Sequence, residues 1–502
     1  MIVSPLDYRY GREELKSIFS EDNRLKIMLN VESALAQAEA YYKIIPENAY
    51  LDIRRVVEGN EVKLSRVKEI ESEIKHDVMS MVEALTERCR EGKNYVHFGV
   101  TSNDINDSAT AVQIGNAVSL IIRDLILLSK LLSELIKKHM DTIMVGRTHA
   151  QHASPITLGL KFSVYLSEIT RHIDRLNSAK SRIVTGKISG PVGTGAALGE
   201  YAMDVQKKTC EILGINSELA TTQIVGRDRF IEYLSIINNI STSLEKFATE
   251  IRNLQRPEIN EISEYFNAKM QVGSSSMPSK RNPINSENIV SLCRLIRSFI
   301  IPEYEASIQW HERDLTNSAL ERFTIPYESI LIDDVLNKTI DLFSSLYINK
   351  DEMLKRAMND QFIMSESVTV ALAKNGMPRQ EAHEFVRKSS MLAYQKNINL
   401  MEALPNNWAD IQPDSVYLSI SSLLVSFGSE QIKLGLKYDR KGKHLKAIEK
   451  GLVPPRGNVG LVASQESGYD LKSKVLGKGD DRRFHAKFID DILYFPGLVT
   501  EH

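Results

Sequence analysis

Residues 107–140 read DSATAVQIGNAVSLIIRDLILLSKLLSELIKKHM. Ile114, Val118, Ile121, Leu125, Leu128, Leu132 and Leu135 follow one another at alternating steps of four and three. Such steps place all of these side chains on one stripe of an α-helix, a heptad seam that near-parallel helical neighbours must cover. Asp107 or Asn106 is placed to cap the start. Arg123, Asp124 and Lys130 interrupt the most apolar part, which argues against a membrane span.

Further long helical patterns run over about 159–185, 228–254, 285–310 and 319–347, and strand-like alternation is scarce. The expected fold is all-α, with a central long-helix bundle. Apolar residues beyond one seam predict that helices of other subunits complete it, giving a multi-subunit helical core. Breaks fall at 92–107, at the glycine-rich stretch 186–199 and at about 348–352. They divide the chain into an N-terminal helical domain (1–103), the bundle (104–347), a smaller C-terminal helical domain (348–435) and a tail (436–502). The tail is rich in Lys, Gly and Pro and lacks sustained periodicity.

The 502 residues carry a formal net charge of −2, with 42% hydrophobic and 25% charged residues. No overall field draws this chain to nucleic acid or to an anionic membrane. Cys89, Cys210 and Cys293 are scattered, without metal spacing, and read as reduced thiols of a cytoplasmic protein. The start, MIVSPLDYRYGREEL, lacks the basic and apolar regions of a secretory signal.

Five stretches are rich in chemistry. GPVGTGAALG (190–199) lacks the order of a phosphate-binding P-loop and the spacing of a dinucleotide fold, and reads as a turn between helices. Lys75, His76 and Asp77 precede Met79, Val82 and Leu85 at helical spacing, so they sit at a helix start where an anion is favoured. VHFGVTSNDINDSA (96–109) offers the Thr101 and Ser102 hydroxyls at another helix start. GRTHAQHASPITLG (146–159) crowds Arg147, Thr148, His149, Gln151 and His152 together; a histidine there can supply a proton near neutral pH, and no metal order is present. Last, GSSSMPSKRNP (273–283) joins the three consecutive serines Ser274, Ser275 and Ser276 to Lys280 and Asn282, groups suited to clamping an anion. Taken singly, each stretch also reads as a capping or surface loop. Taken together they favour function, because helical bundles place it at helix ends and loops.

GSSSMPSKRNP resembles the signature loop of the fumarase/aspartase superfamily, GSSxMPxKxNP; TSND (101–104) and RTHAQ (147–151) resemble two further regions of it. Members cleave C–N or C–O bonds by β-elimination, nearly all releasing fumarate. SPLDYRYG, KHD (75–77), RTHAQHASPITLGLKF and ERDLTNSALER (312–322) resemble the branch that cleaves adenylosuccinate. The resemblance covers about residues 1–435. It implies fumarate release both from adenylosuccinate, giving AMP, and from the succinocarboxamide imidazole ribotide SAICAR, giving AICAR, in purine synthesis. It implies no metal or organic cofactor, and a homotetramer whose sites each draw on three subunits.

By this resemblance Ser274 is the base and His149 the acid. Thr101, Ser102 and Thr148 are implied to bind one carboxylate, and Lys280 and Asn282 the other. Arg9, Tyr10, Ser318 and Arg322 are implied to hold the phosphate, and Ser275 to contact substrate. His76 orients the substrate with Lys75 and Asp77 beside it, Gln223 and Asn288 are further contacts, and Glu287 polarises a histidine. Two alternatives remain open: an argininosuccinate-cleaving or other fumarate-releasing lyase, and a catalytically silent helical scaffold.

Overall fold

The computed structural model describes residues 3–267 and 269–404. The tail at 436–502 and the end of the expected C-terminal domain therefore lie outside the described residues. The helices that position the site are α1 (Glu21–Tyr41), α2 (Asp77–Thr86), α3 (Ser102–His139), α4 (Leu158–Ile183), α5 (Asp228–Leu254), α6 (Ile284–Ser298) and α7 (Thr316–Ser344). The strands among the described residues form three two-stranded pairs, the longest being the hairpin of β1 (Ile143–Thr148) and β2 (Gln151–Thr157).

α3 is the axis of the bundle. Ile114, Val118, Ile121, Leu125, Leu128 and Leu132 are fully buried, and Leu135 is partly so. Each such burial contributes about 1.5–3 kcal/mol. Among the described residues α3 is the helix long and apolar enough to cross a membrane, but its seam is spent on the protein core. At 1.5 Å per residue it spans about 57 Å. It starts five or six residues before the expected cap at Asn106 or Asp107: Thr101 is the N-cap and Asp104 completes a capping box. Asp107 is therefore free for a buried ion pair with Arg227. The pattern at 285–310 breaks into two helices, Ile284–Ser298 and Ile300–Ala306.

The long helices alternate in direction. Arg227, just before α5, pairs with Asp107 near the start of α3, and Glu321 near the start of α7 joins them. At the other end Arg147 of β1 grips Glu261, just beyond α5. Ile262 then pairs with Ile348, just beyond α7. Hence α3, α5 and α7 run one way, and α4 and α6 return. A second apolar cluster joins α1 and α2 to the first turns of α3, and a third is built on residues 364–404.

Polar groups also lie deep in the bundle. Glu303 and Glu328 are fully buried. Thr324 donates to Glu303 (2.6 Å) and Asn238 to Glu328 (3.1 Å), and the second oxygen of each carboxyl has no partner among the described residues. Burial pushes Glu303 up to about 7; burial, with repulsion from Glu303, pushes Glu328 up to about 9. A carboxyl with a raised folded pKa stabilises the fold in its protonated form. That contribution is full below the unfolded pKa of about 4.3 and is lost as pH climbs through the folded value, at up to about 1.4 kcal/mol per pH unit for one group. Glu328→Gln, which keeps an acceptor for Asn238, is therefore expected to flatten the fall in Tm between about pH 5 and pH 9. Parallel Tm–pH curves for variant and parent would contradict it.

Candidate functional site

The residues singled out in the sequence fall at separate places in one chain. The first group lies where α2, α3 and α7 begin. His76 caps α2 and its Nδ1 accepts the Met79 N–H at 3.3 Å. The ring proton is then held on Nε2, which is left to donate. Asp77 pairs with Arg322 at 3.0 Å, and both are exposed. An exposed pair is worth under about 1 kcal/mol, so Arg322 can exchange Asp77 for an incoming anion at little cost. Ser318 lies one turn before Arg322 and lines the same cavity. Lys75 turns away: in a left-handed conformation (φ 57°) it ends its own helix, and its ammonium bonds the Ser72 carbonyl.

Thr101 and Ser102 open α3 in the same region. The loop before them is held by buried Glu32, which accepts both the His97 backbone N–H (3.1 Å) and its ring Nδ1–H (2.7 Å). Behind them lies a junction that the sequence reading did not pick out. Asp104 accepts the N–H groups of Thr101 (2.8 Å), Ser189 (2.9 Å) and Gly190 (3.0 Å) and pairs with Lys187; both side chains are fully buried. Lys187 also donates to the Gln223 carbonyl at 2.9 Å. The glycine-rich stretch is thus a structural turn wrapped over this ion pair. A Cβ on Gly193 would stand 2.0 Å from the Thr221 carbonyl oxygen, so only glycine fits there. Gln223 in turn accepts from Arg313 at 2.8 Å. The Thr-x-x-Asp spacing was a legible capping signal for Asp104. Nothing in the sequence marked Lys187 or Arg313 as partners.

The second group lies at the opposite end. Thr148 and His149 sit where β1 turns into β2, not on an irregular loop. His149 (φ 53°) and Ala150 (φ 59°) are both left-handed, the geometry of a two-residue hairpin turn usually filled by Asn-Gly. Two non-glycine residues there cost on the order of 1 kcal/mol or more each. The turn presents an exposed imidazole with no hydrogen-bond partner among the described residues. Arg147 anchors the strand through two bonds to buried Glu261, at 2.7 and 2.9 Å, and His152 meets Asp360 at 2.6 Å.

The signature loop is at this end too. Ser274 Oγ accepts the N–H groups of Met277 (3.1 Å) and Ser276 (3.4 Å); Ser275 and Ser276 make no such bond through their hydroxyls. Asn282 donates to the Gly273 carbonyl at 3.0 Å and closes the loop on itself. A Cβ on Gly273 would lie 2.0 Å from the Lys280 carbonyl oxygen, which explains the glycine. Lys280 is exposed. Glu287 and Asn288 lie in the first turns of α6, Glu287 4.0 Å from Arg252. Glu264 accepts the Asn285 (3.1 Å) and Ser286 (2.6 Å) N–H groups and fixes the start of α6.

A third position holds Arg9 and Tyr10. The Lys338 ammonium lies 4.7 Å from the Tyr10 ring centre. Lys338 is sixteen residues beyond Arg322 on α7, about 24 Å along the helix. Thr101 and Ser102 are likewise separated from Thr148 and His149 by the whole length of α3. A single chain does not bring these groups to one point.

Helices around a long central bundle, with a serine-bearing loop at one end and an arginine-lined corner at the other, fit a lyase of the fumarase/aspartase type. The family model described as lyase matches residues 7–297, and that for the adenylosuccinate lyase C-terminus matches residues 361–415. The chain is 44% identical over 408 residues to an adenylosuccinate lyase of Pyrococcus abyssi, covering 81% of this chain and 90% of that protein. It is 36% identical over 413 residues to the Bacillus subtilis adenylosuccinate lyase (81% and 94%). Among solved structures it resembles a fumarate lyase from Mesorhizobium sp. BNC1, with a TM-score of 0.76, 27% identity, and 85% and 97% of the two chains covered. The chain belongs to the adenylosuccinate lyase family.

Proposed function

We propose that this chain releases fumarate by β-elimination from adenylosuccinate, leaving AMP, and from SAICAR, leaving AICAR. The observation that carries the mechanism is the environment of Ser274. Two backbone N–H groups aim at its Oγ, and hydrogen bonds to a charged form favour that form. Ser274 so held removes the proton from the carbon beside a substrate carboxylate. The electron pair moves into that carboxylate as an aci-dianion, and Lys280 and Asn282 stabilise its oxygens. The C–N bond then breaks, the C=C bond of fumarate forms, and His149 protonates the departing nitrogen. Thr101, Ser102 and Thr148 hold the other carboxylate. Ser318 and Arg322 hold the phosphate, with Arg9 and Tyr10 reaching it from another copy of the chain. His76, Gln223, Ser275 and Asn288 position the rest of the substrate.

The separation of these residues within one chain supports a site assembled from several subunits, as in a homotetramer. The signature loop is the lid: closing it over the dicarboxylate excludes water from the carbanion. The three buried free thiols agree with a cytoplasmic setting.

The test is fumarate release by the purified protein, offered adenylosuccinate, SAICAR and argininosuccinate separately. Release from the first two alone is the expected result. Release from argininosuccinate alone would overturn the phosphate role of Ser318 and Arg322. Release from none would return the weight to a silent scaffold.

A further inference from the structure

The cavity between the starts of α1, α3 and α7 measures about 250 Å³ and is lined by Arg24, Asp107, Arg227, Arg313, Ser318 and Arg322, among others. Most of its charges are matched. Arg227 pairs with Asp107 (2.8 Å) and Glu321 (2.7 Å), Arg322 with Asp77 (3.0 Å), and Glu21 at the rim with Lys68 (2.6 Å). Arg24 is not matched. Its guanidinium donates to Gln113 Oε1 (2.9 Å), Asn106 Oδ1 (3.0 Å) and Thr110 Oγ1 (3.4 Å), all neutral acceptors on α3. Burial holds its pKa below the usual arginine value, and Arg322 adds repulsion; Asp77, Asp107 and Glu321 act on it only from beyond contact. Arg313 is in a similar position: it donates to the Gln223 side-chain oxygen, and its buried Nε has no partner among the described residues.

A half-buried guanidinium held among neutral dipoles gains most when an anion completes its surroundings. Three acceptors on one side hold the Arg24 fork in place, and its remaining N–H groups are left for a ligand. We infer that Arg24 is a further substrate-binding residue, contacting the phosphate of the nucleotide beside Ser318 and Arg322. This rests on the nucleotide-lyase reading. A planar fork held in advance suits a phosphate, because little side-chain freedom is lost on binding. A purely structural role, tying α1 to α3, would need the three neutral contacts but would give no dependence on phosphate.

The experiment compares the parent enzyme with Arg24→Met, which keeps the stem and removes the charge, and with Arg24→Lys, which keeps the charge. Three quantities are read: the Tm rise produced by inorganic phosphate, KM and kcat for adenylosuccinate, and inhibition by fumarate as a phosphate-free dianion. Arg24→Met is expected to weaken phosphate binding and to raise KM by about tenfold or more, with a smaller change in kcat and in fumarate inhibition. Arg24→Lys recovers part of both losses. Three results would overturn the inference: phosphate binding that is absent in the parent or equal in Arg24→Met, a loss confined to fumarate inhibition, or equal destabilisation of both variants with KM unchanged. If phosphate binding depends on Arg24 but the parent releases no fumarate, the anion site stands and the lyase reading fails.

Discussion

Ser274→Ala is expected to lower kcat for fumarate release by about 10²- to 10⁴-fold, the range lost with a positioned general base. KM should change far less, because in the proposed mechanism the Ser274 hydroxyl acts on the proton being removed rather than on substrate charge. Ser275→Ala is expected to behave the other way, raising KM with a smaller fall in kcat. The contrast follows from the loop: Ser274 Oγ accepts two backbone N–H groups, whereas the neighbouring serines leave their hydroxyls unbonded. The loop is largely exposed, so the Tm of both variants should match the parent and separate loss of chemistry from loss of fold. Steady-state kinetics on adenylosuccinate decide the matter. Near-parent kcat in Ser274→Ala, with collapse in Ser275→Ala or Ser276→Ala, would move the base along the loop.

Lys187→Met is expected to destabilise the protein by about 3–5 kcal/mol, the usual cost of leaving one buried charge without its partner. Asp104→Ala should cost at least as much, since it also strips the N–H groups of Thr101, Ser189 and Gly190 of their acceptor. A double variant, Asp104→Ala with Lys187→Met, removes both charges and is expected to lose less than the sum of the two single losses, because no buried charge is left to compensate. Denaturant unfolding of all three variants gives the coupling directly. The same junction reaches the proposed substrate contacts. Lys187 holds the Gln223 carbonyl and Asp104 holds the turn into Thr101 and Ser102, so a surviving variant should also show a raised KM. Additive losses in the double variant would contradict a coupled ion pair.

Much of this protein is written in local patterns. The 4,3 steps from Ile114 to Leu135 define a helix whose seam needs neighbours, since 3.6 residues per turn leave these side chains on one face. Gly273, Asn282 and Lys280 stand at fixed steps because the loop closes on itself, and a Cβ at 273 would strike the Lys280 carbonyl. Chemistry that lies within a dozen residues is legible for this reason: the backbone geometry linking its parts is short and nearly determined.

Other features depend on contacts that no local pattern records. The hairpin at 143–157 carries weak alternation and turns on His149 and Ala150, neither of which advertises a left-handed conformation. The strands lie against residues 350–366, through His152 to Asp360 and Ser154 to Glu366, and Arg147 is clamped to Glu261, 114 residues away in the chain. Asp107 read as a helix cap, yet the helix begins at Thr101 and Asp107 is claimed by Arg227, 120 residues away. Arg24 carries no motif, and its unmatched charge becomes visible only once Gln113, Asn106 and Thr110 are seen to surround it with neutral oxygens. Residue order alone determined the helical class, the long axis of the bundle and the signature loop, because hydrophobic periodicity and turn chemistry act over a few residues. Tertiary structure decided which buried charges meet, and it set Thr101 and His149 at opposite ends of a helix about 57 Å long, because long-range pairing is chosen by the whole core and not by any one segment of it.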